Sequence, residues 1–323
     1  MASEDLQAFL DFAILLAREG GQLILEGSKA RYASQGTVFW KAGNPADLVT
    51  ETDKMIEEVV KKRLKERFPQ HKFIGEETVS SGEDSALTDE PTWIVDPIDG
   101  TTNFVHGFQY VAISIALTIN KEPVVGVVYN PFLDEIFTAS KNSGAFLNLS
   151  TRLPLSHPHP PLPLPSSLSQ CLVATEYGHC RTPHVIDRKV MSIHNMVARP
   201  GDNKWSESGK NAGLVHGVRS TGSAALNLCT AAKGQIDMYW EIGPWEWDVA
   251  AGVLILGESG GIVVDAYGPD EGPADILSRR FLAVRAGSPA PGDKTSRESQ
   301  LRLVKEMWDV VEQVEVSRIE ARL

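Results

Sequence analysis

Only three of the 323 residues are cysteines, Cys171, Cys180 and Cys229. An odd count without zinc-type spacing argues against a disulfide framework and against structural zinc, and it fits a reducing cytosol. No apolar run approaches the roughly 20 residues needed to cross a bilayer. A basic leader is missing too: the N-terminus carries Glu4, Asp5 and Asp11, and Leu6, Phe9, Leu10, Ala13, Ile14 and Ala17 follow helical spacing instead. Positive charge is scarce, with 31 basic against 42 acidic side chains, a net charge of -11 and no basic stripe, which excludes nucleic acid as a partner. What is present, 42% hydrophobic and 23% charged residues, is ordinary for a soluble globular chain holding a large core or two domains.

Apolar periodicity predicts helices over 3–26 and 53–67, the second burying Ile56, Val59, Val60 and Leu64 and ending at Phe68-Pro69. Strand patterns follow at 72–75, 93–96, 111–120, 123–130 and 135–139, giving an N-terminal α+β domain over 1–150. Residues 151–170 are rich in proline and serine and read as an exposed linker or insertion, with His157 and His159 solvated. The polar stretch 198–213 reads as a loop. A C-terminal α/β domain over 171–290 alternates strands at 172–175, 236–241 and 261–265 with helices at 185–196, 223–232 and 248–259, a pattern of layered helices and sheets. Beyond 291 a helical extension to 323 is expected to pack on the outside of that domain or on a partner.

Chemistry concentrates in Trp93-Ile94-Val95-Asp96-Pro97-Ile98-Asp99-Gly100-Thr101-Thr102-Asn103-Phe104. An apolar strand, stopped by Pro97, leads into a turn whose amides attract anions. Asp96 and Asp99 across that turn can converge on a hard cation, which prefers oxygen ligands. A strand ending in an Asp-rich turn capped by Asp99 satisfies the same residues.

Around it stand Asp47-Leu48-Val49-Thr50-Glu51-Thr52-Asp53, Gly75-Glu76-Glu77, Gly217 to Ala225 and Trp247-Asp248-Val249-Ala250-Ala251-Gly252. This set, in this order, resembles the inositol monophosphatase family over residues 6–268. The resemblance implies a mixed α and β fold, a layered αβαβα sandwich of the inositol monophosphatase and sugar phosphatase type. It implies two or three magnesium ions, one held by Glu76, Asp96 and the carbonyl of Ile98, another by Asp96, Asp99 and Asp248. Thr101 and Asp53 match the pair that activates water, and Gly100, Thr101 and Thr102 the phosphate-binding amides. Gly222, Ser223, Ala224 and Glu241 fall where relatives contact substrate hydroxyls, and Lys41 lies in a loop that in relatives reaches the site. Each acid has a structural alternative: Asp53 and Asp248 as helix caps, Glu241 as a strand-end acid.

The implied activity is magnesium-dependent hydrolysis of inositol monophosphates by direct attack of a metal-activated water, in a lithium-sensitive, cytoplasmic homodimer with a small phosphorylated polyol as substrate, no nucleic acid and no membrane. The alternatives are a phosphatase of the same family acting on histidinol phosphate, a sugar phosphate or an adenosine bisphosphate, and a metabolite-binding regulator that retains the fold. Intact Asp53, Glu76, Asp96, Asp99, Thr101 and Asp248 argue against the regulator. Pro244-Trp245-Glu246 beside Asp248 is less typical of the animal enzymes and leaves fine specificity open.

Overall fold

In the computed structural model, which describes residues 3–33, 38–40, 48–82, 86–201, 209–314 and 316, the first apolar stripe builds α1 (Ser3–Ala33), burying Leu10, Ala13, Leu16, Ala17 and Ile24. An antiparallel pair, β1 (Val38–Trp40) and β2 (Leu48–Thr50), precedes α2 (Glu51–Arg67), which buries Ile56, Val60 and Leu64. Next come β3 (Lys72–Gly75), α3 (Glu76–Ser80), β4 (Thr92–Asp99), α4 (Thr101–His106), β5 (Ala112–Ile119), β6 (Glu122–Asn130), β7 (Glu135–Ser140), β8 (Ala145–Leu147) and β9 (Thr151–Arg152). The remainder forms β10 (Leu172–Thr175), α5 (Pro183–Val197), β11 (Gly217–Arg219), α6 (Ala224–Lys233), β12 (Met238–Ile242), α7 (Glu246–Glu258), β13 (Ile262–Val264), β14 (Arg280–Val284) and α8 (Ser296–Trp308). Lys41 and residues 202–208 of the polar stretch lie outside the described residues.

The chain divides into two units. Met1–Arg152, Gly222–Cys229 and Trp245–Glu258 form the first; Leu153–Thr221, Thr230–Pro244 and Ser259–Leu323 form the second. Thus α7, which chain order assigns to a C-terminal domain over 171–290, folds with the first unit. The reason is a face of small residues. In the seven-stranded sheet, ordered β3-β4-β5-β6-β7-β8-β9 and antiparallel except for β3 beside β4, Ile113, Ile115, Leu117, Val125 and Val127 join α1 and α2 in one core. Alternation turns Ala112, Ser114 and Ala116 to the opposite face, where α7 brings Ala251 against Gly126 of β6. Ser114 donates to the Trp247 carbonyl at 3.0 Å. A Cβ at Gly126 would sit 2.8 Å from the Ala251 carbonyl oxygen; only glycine lets the helix lie this close.

The second unit has a five-stranded sheet, ordered β11-β10-β12-β14-β13, in which β10 runs parallel to β11 and β12. Its core joins Met238, Trp240, Ile242, Leu282 and Val284 to Val185 and Met196 of α5 and to Leu303, Val304 and Met307 of α8. The expected outer extension is therefore wrong for α8: its apolar stripe, with Val310, Val311 and Val314, is core.

Residues 151–170 depart from expectation in the same way. His157 and His159 are exposed, but Leu164 and Leu168 are buried in the second core. Prolines lack the amide hydrogen and leave carbonyls as their main-chain hydrogen-bonding groups, and distant arginines supply the donors. Buried Arg285 donates to the carbonyls of Leu162 and Pro163 at 3.1 and 2.9 Å while pairing with Asp237 at 2.8 Å. Arg302 donates to those of Pro165 and Ser166, each at 2.8 Å. Among the described residues no helix is long and apolar enough to cross a membrane.

Packing of this segment is testable by two leucines two positions apart. Leu164→Ala is expected to lower unfolding free energy by about 2–5 kcal/mol through cavity formation, whereas Leu162→Ala, at a side chain 71% exposed, should stay within about 0.5 kcal/mol of the parent. Denaturant unfolding measures both, and equal effects would contradict the packing.

Candidate metal centre

Residues three apart on a regular strand point to opposite faces, so Asp96 and Asp99 would diverge if β4 were regular. It is not. The strand does not stop at Pro97 as expected; it runs through to Asp99 with its pairing to β5 shifted between Asp96 and Asp99. An irregularity of this kind re-aims a side chain, and both carboxylates turn toward Asp248, in the first turn of α7. Asp96, Asp99 and Asp248 each offer an oxygen within 4.8 Å of the others.

Local donors hold each acid in place. Asp96 accepts from the Ile98 amide at 2.9 Å, and Asp248 from the Trp245 amide at 2.6 Å; because α7 begins at Glu246, Asp248 is not the cap that the alternative made it but lies inside the first turn. Asp99 accepts from the Ser223 hydroxyl and, at 2.8 Å, from the Ala225 amide, with the Ala224 amide also bonded to it. Gly222, Ser223 and Ala224, assigned by sequence to substrate, thus stand at the start of α6, where Ser223 and Ala224 brace Asp99. Gly222 lies against the side chain of Asn103.

The electrostatics of the cluster follow from crowding. Burial, then the charges of Glu76, Asp99 and Asp248, push Asp96 well above the usual carboxylate range. Burial raises Asp99 to about 7 despite its hydrogen bonds. Asp248 is raised by burial and then by Asp99 and Glu76. The Asp96 and Asp248 carboxyls also stand within hydrogen-bonding reach of each other, an approach that two carboxylates make favourably only with a proton or a cation between them. A divalent cation offsets the same repulsion, and the all-oxygen donor set suits a hard ion such as magnesium.

Beside the cluster, Gly100 opens α4 with φ +91°, and a Cβ there would lie 2.9 Å from the Tyr110 carbonyl and 3.1 Å from that of Gly222. Sequence assigns this glycine to the approach of a phosphate; backbone conformation and packing require it independently. Thr101 has its hydroxyl 3.0 Å from the Ile98 carbonyl and 3.2 Å from Asp53. Thr102 is exposed. Thr50, not Asp53, caps α2; Asp53 closes the capping box by accepting from the Thr50 amide at 2.9 Å, leaving its other oxygen toward Thr101.

In the second unit Glu241 is buried on β12 and accepts from the Tyr239 hydroxyl, so it is not a surface acid. Lys189 of α5, almost wholly buried, donates to the Tyr177 carbonyl at 2.8 Å; burial lowers its affinity for a proton and the Glu241 charge raises it. Sequence reading missed Lys189, Tyr239 and the bracing role of Ser223. A lysine on an apolar helix face was the available signal for the first.

Residues 5–316 match the Inositol monophosphatase family. The chain belongs to that family. It is 42% identical to Protein qutG of Emericella nidulans, over 97% of this chain and 96% of that protein. With Inositol monophosphatase 1 of Bos taurus it shares 40% identity over 86% of this chain and 89% of that one. The solved inositol monophosphatase from Anabaena superposes with a TM-score of 0.66 at 32% identity, covering 95% of this chain and 97% of the other. The mixed α and β fold is that of this family, whose members are phosphatases and metal-dependent.

The crowded acids make stability depend on pH. A carboxyl whose folded pKa lies above its unfolded value favours folding fully below the unfolded value, and that stability is lost as pH rises through the folded one. For Asp99 the window runs from 3.8 to about 7, with a loss of about 1.4 kcal/mol per pH unit for each such group. In chelator, Asp96→Asn should therefore melt higher than the parent near pH 8, with the gap closing toward pH 4. A parent as stable as the variant at both ends would contradict the crowding.

Proposed function

We propose that the chain is a magnesium-dependent phosphatase of small phosphorylated polyols, inositol monophosphates among them, releasing the alcohol and phosphate by direct attack of water. The observation that carries the reading is the convergence of Asp96, Asp99 and Asp248 next to the Thr101–Asp53 pair. In this reading Asp96, Asp99 and Asp248 hold one ion, and Glu76, Asp96 and the Ile98 carbonyl another. Bound magnesium would supply positive charge to the phosphoryl oxygens and the leaving oxygen. The protein's own groups do the rest. Thr101 has one hydroxyl hydrogen and two acceptors in reach, Ile98 and Asp53. When that hydrogen goes to Asp53, the threonine oxygen is left to accept from water, so the pair can orient a water and carry its proton to the carboxylate. The amides of Gly100, Thr101 and Thr102 receive the phosphate, and Gly222, Ser223, Ala224 and Glu241 serve the polyol. Free Cys171, Cys180 and Cys229 suit a cytosolic protein, and lithium sensitivity and a homodimer accompany this reading through the family resemblance.

A second reading, another small phosphate ester as substrate, has its own support. The Tyr239 hydroxyl, which donates to Glu241, uses some of the acceptor capacity that ring hydroxyls would need. The near full-length match to Protein qutG, whose name states no substrate, leaves the choice of ester open.

Phosphate release in magnesium from inositol monophosphates, histidinol phosphate, a sugar phosphate, an adenosine bisphosphate and glycerol phosphate separates the readings. A preference of at least about tenfold (about 1.4 kcal/mol) for inositol phosphates is expected, with Asp99→Asn losing turnover on every ester by several kcal/mol of transition-state stabilisation. Glu241→Gln should lower kcat/KM on inositol phosphates by roughly 1–3 kcal/mol and on glycerol phosphate much less. No activity on any ester would defeat the phosphatase reading; a preference for another ester would leave only the second.

A further inference from the structure

The first three polar positions on the buried side of α2, Asp53, Glu57 and Lys61, are spaced i, i+4 and i+8 and so share one face. Asp53 reaches Thr101. Glu57, one turn on and almost wholly buried, reaches α3. One of its oxygens accepts from the Glu77 amide at 2.7 Å, and the other from the Thr78 amide and hydroxyl at 2.7 and 2.6 Å. Lys61 donates to the same hydroxyl at 3.1 Å, so the threonine oxygen accepts from the lysine and its hydrogen goes to Glu57.

These bonds fall where the local chain cannot supply them. Helix α3 has five residues, too few to be stable alone, and its N-cap is Gly75, which has no side chain to receive the first amides. Glu57 takes that part from a different helix. Gly75 also makes room for it, since a Cβ there would stand 2.5 Å from the Glu57 carboxyl carbon. The peptide between the two anchored amides and β3 is that of Glu76, whose charge acts on all three acids of the cluster.

We propose that Glu57 is a positioning residue for the metal centre: by capping α3 from α2 it fixes the backbone of Glu76, so that a single helix sets both Asp53 and the Glu76 ligand. The inference rests on the metal-site reading given above. It assigns Glu57 no contact with substrate or ion and no proton transfer. Its effect is geometric, and it should appear in divalent affinity.

Glu57→Gln in the full chain replaces one acceptor oxygen by an amide nitrogen that faces a donor. The magnesium concentration giving half of the maximal thermal shift, and manganese binding followed by electron paramagnetic resonance, are expected to weaken about tenfold or more. The KM for a phosphate ester at saturating magnesium should stay within about threefold of the parent. Thr78→Val, which removes one donor of three, should shift the divalent constant in the same direction by less, and Thr78→Ser, which keeps the hydroxyl, should restore it; this pair decides the matter if Glu57→Gln does not fold. A lower melting temperature in chelator with divalent constants unchanged in both Glu57→Gln and Thr78→Val would overturn the proposal and leave Glu57 a stabilising residue only. A parent chain that binds neither magnesium nor manganese would instead remove the metal-site reading, and the proposal with it.

Discussion

Three carboxylates occupy a volume that three negative charges cannot share without a proton or a cation, and much of the first unit serves to keep them there. Regular geometry would separate them: Asp96 and Asp99 alternate across a strand, and Asp248 arrives from a helix more than a hundred residues later. The shifted pairing at the end of β4 removes the alternation. The small-residue face of the sheet draws α7 close enough for Asp248 to complete the group, and Ser223 with the α6 amides holds Asp99. The repulsion these devices maintain favours a cation strongly in the folded chain. A divalent ion that binds the folded state alone then adds stability by mass action.

The surrounding parts divide the work. Helix α2 carries Asp53 toward Thr101 at its start and steadies the Glu76 segment one turn later, so rigidity is imported into a five-residue helix that has little of its own. In the second unit a buried glutamate is set beside a tyrosine and a buried lysine. A buried lysine near an acid costs desolvation energy that a purely apolar core would avoid.

Residue type and spacing make the acidic centre legible in the chain itself. The strand into Asp96 and Asp99, the helical stripes of α1 and α2 and the alternating second half all follow from local periodicity. The partnership with Asp248 came through resemblance, since no local rule links positions so far apart. What could not be read depended on distant partners. Prolines in 151–170 advertise a loop, yet Arg285 and Arg302, more than a hundred positions on, supply the donors that hold it. Pro97 signals a strand end, but a pairing shift absorbs it. Helix α8 looks like an appendage until the sheet it closes is known, and α7 joins the first unit because of glycine and alanine positions on strands it does not adjoin in sequence.

Magnesium titration of the metal-free chain by calorimetry, in two buffers of different ionisation enthalpy near pH 7, most directly addresses the crowded acids. Asp99 lies at about 7 there, with Asp96 and Asp248 raised as well. If a cation replaces the protons that these carboxyls otherwise share, binding should release roughly one proton or more per chain, and Asp96→Asn should release fewer. Binding with no proton release in either buffer, or no binding at all, would contradict the account.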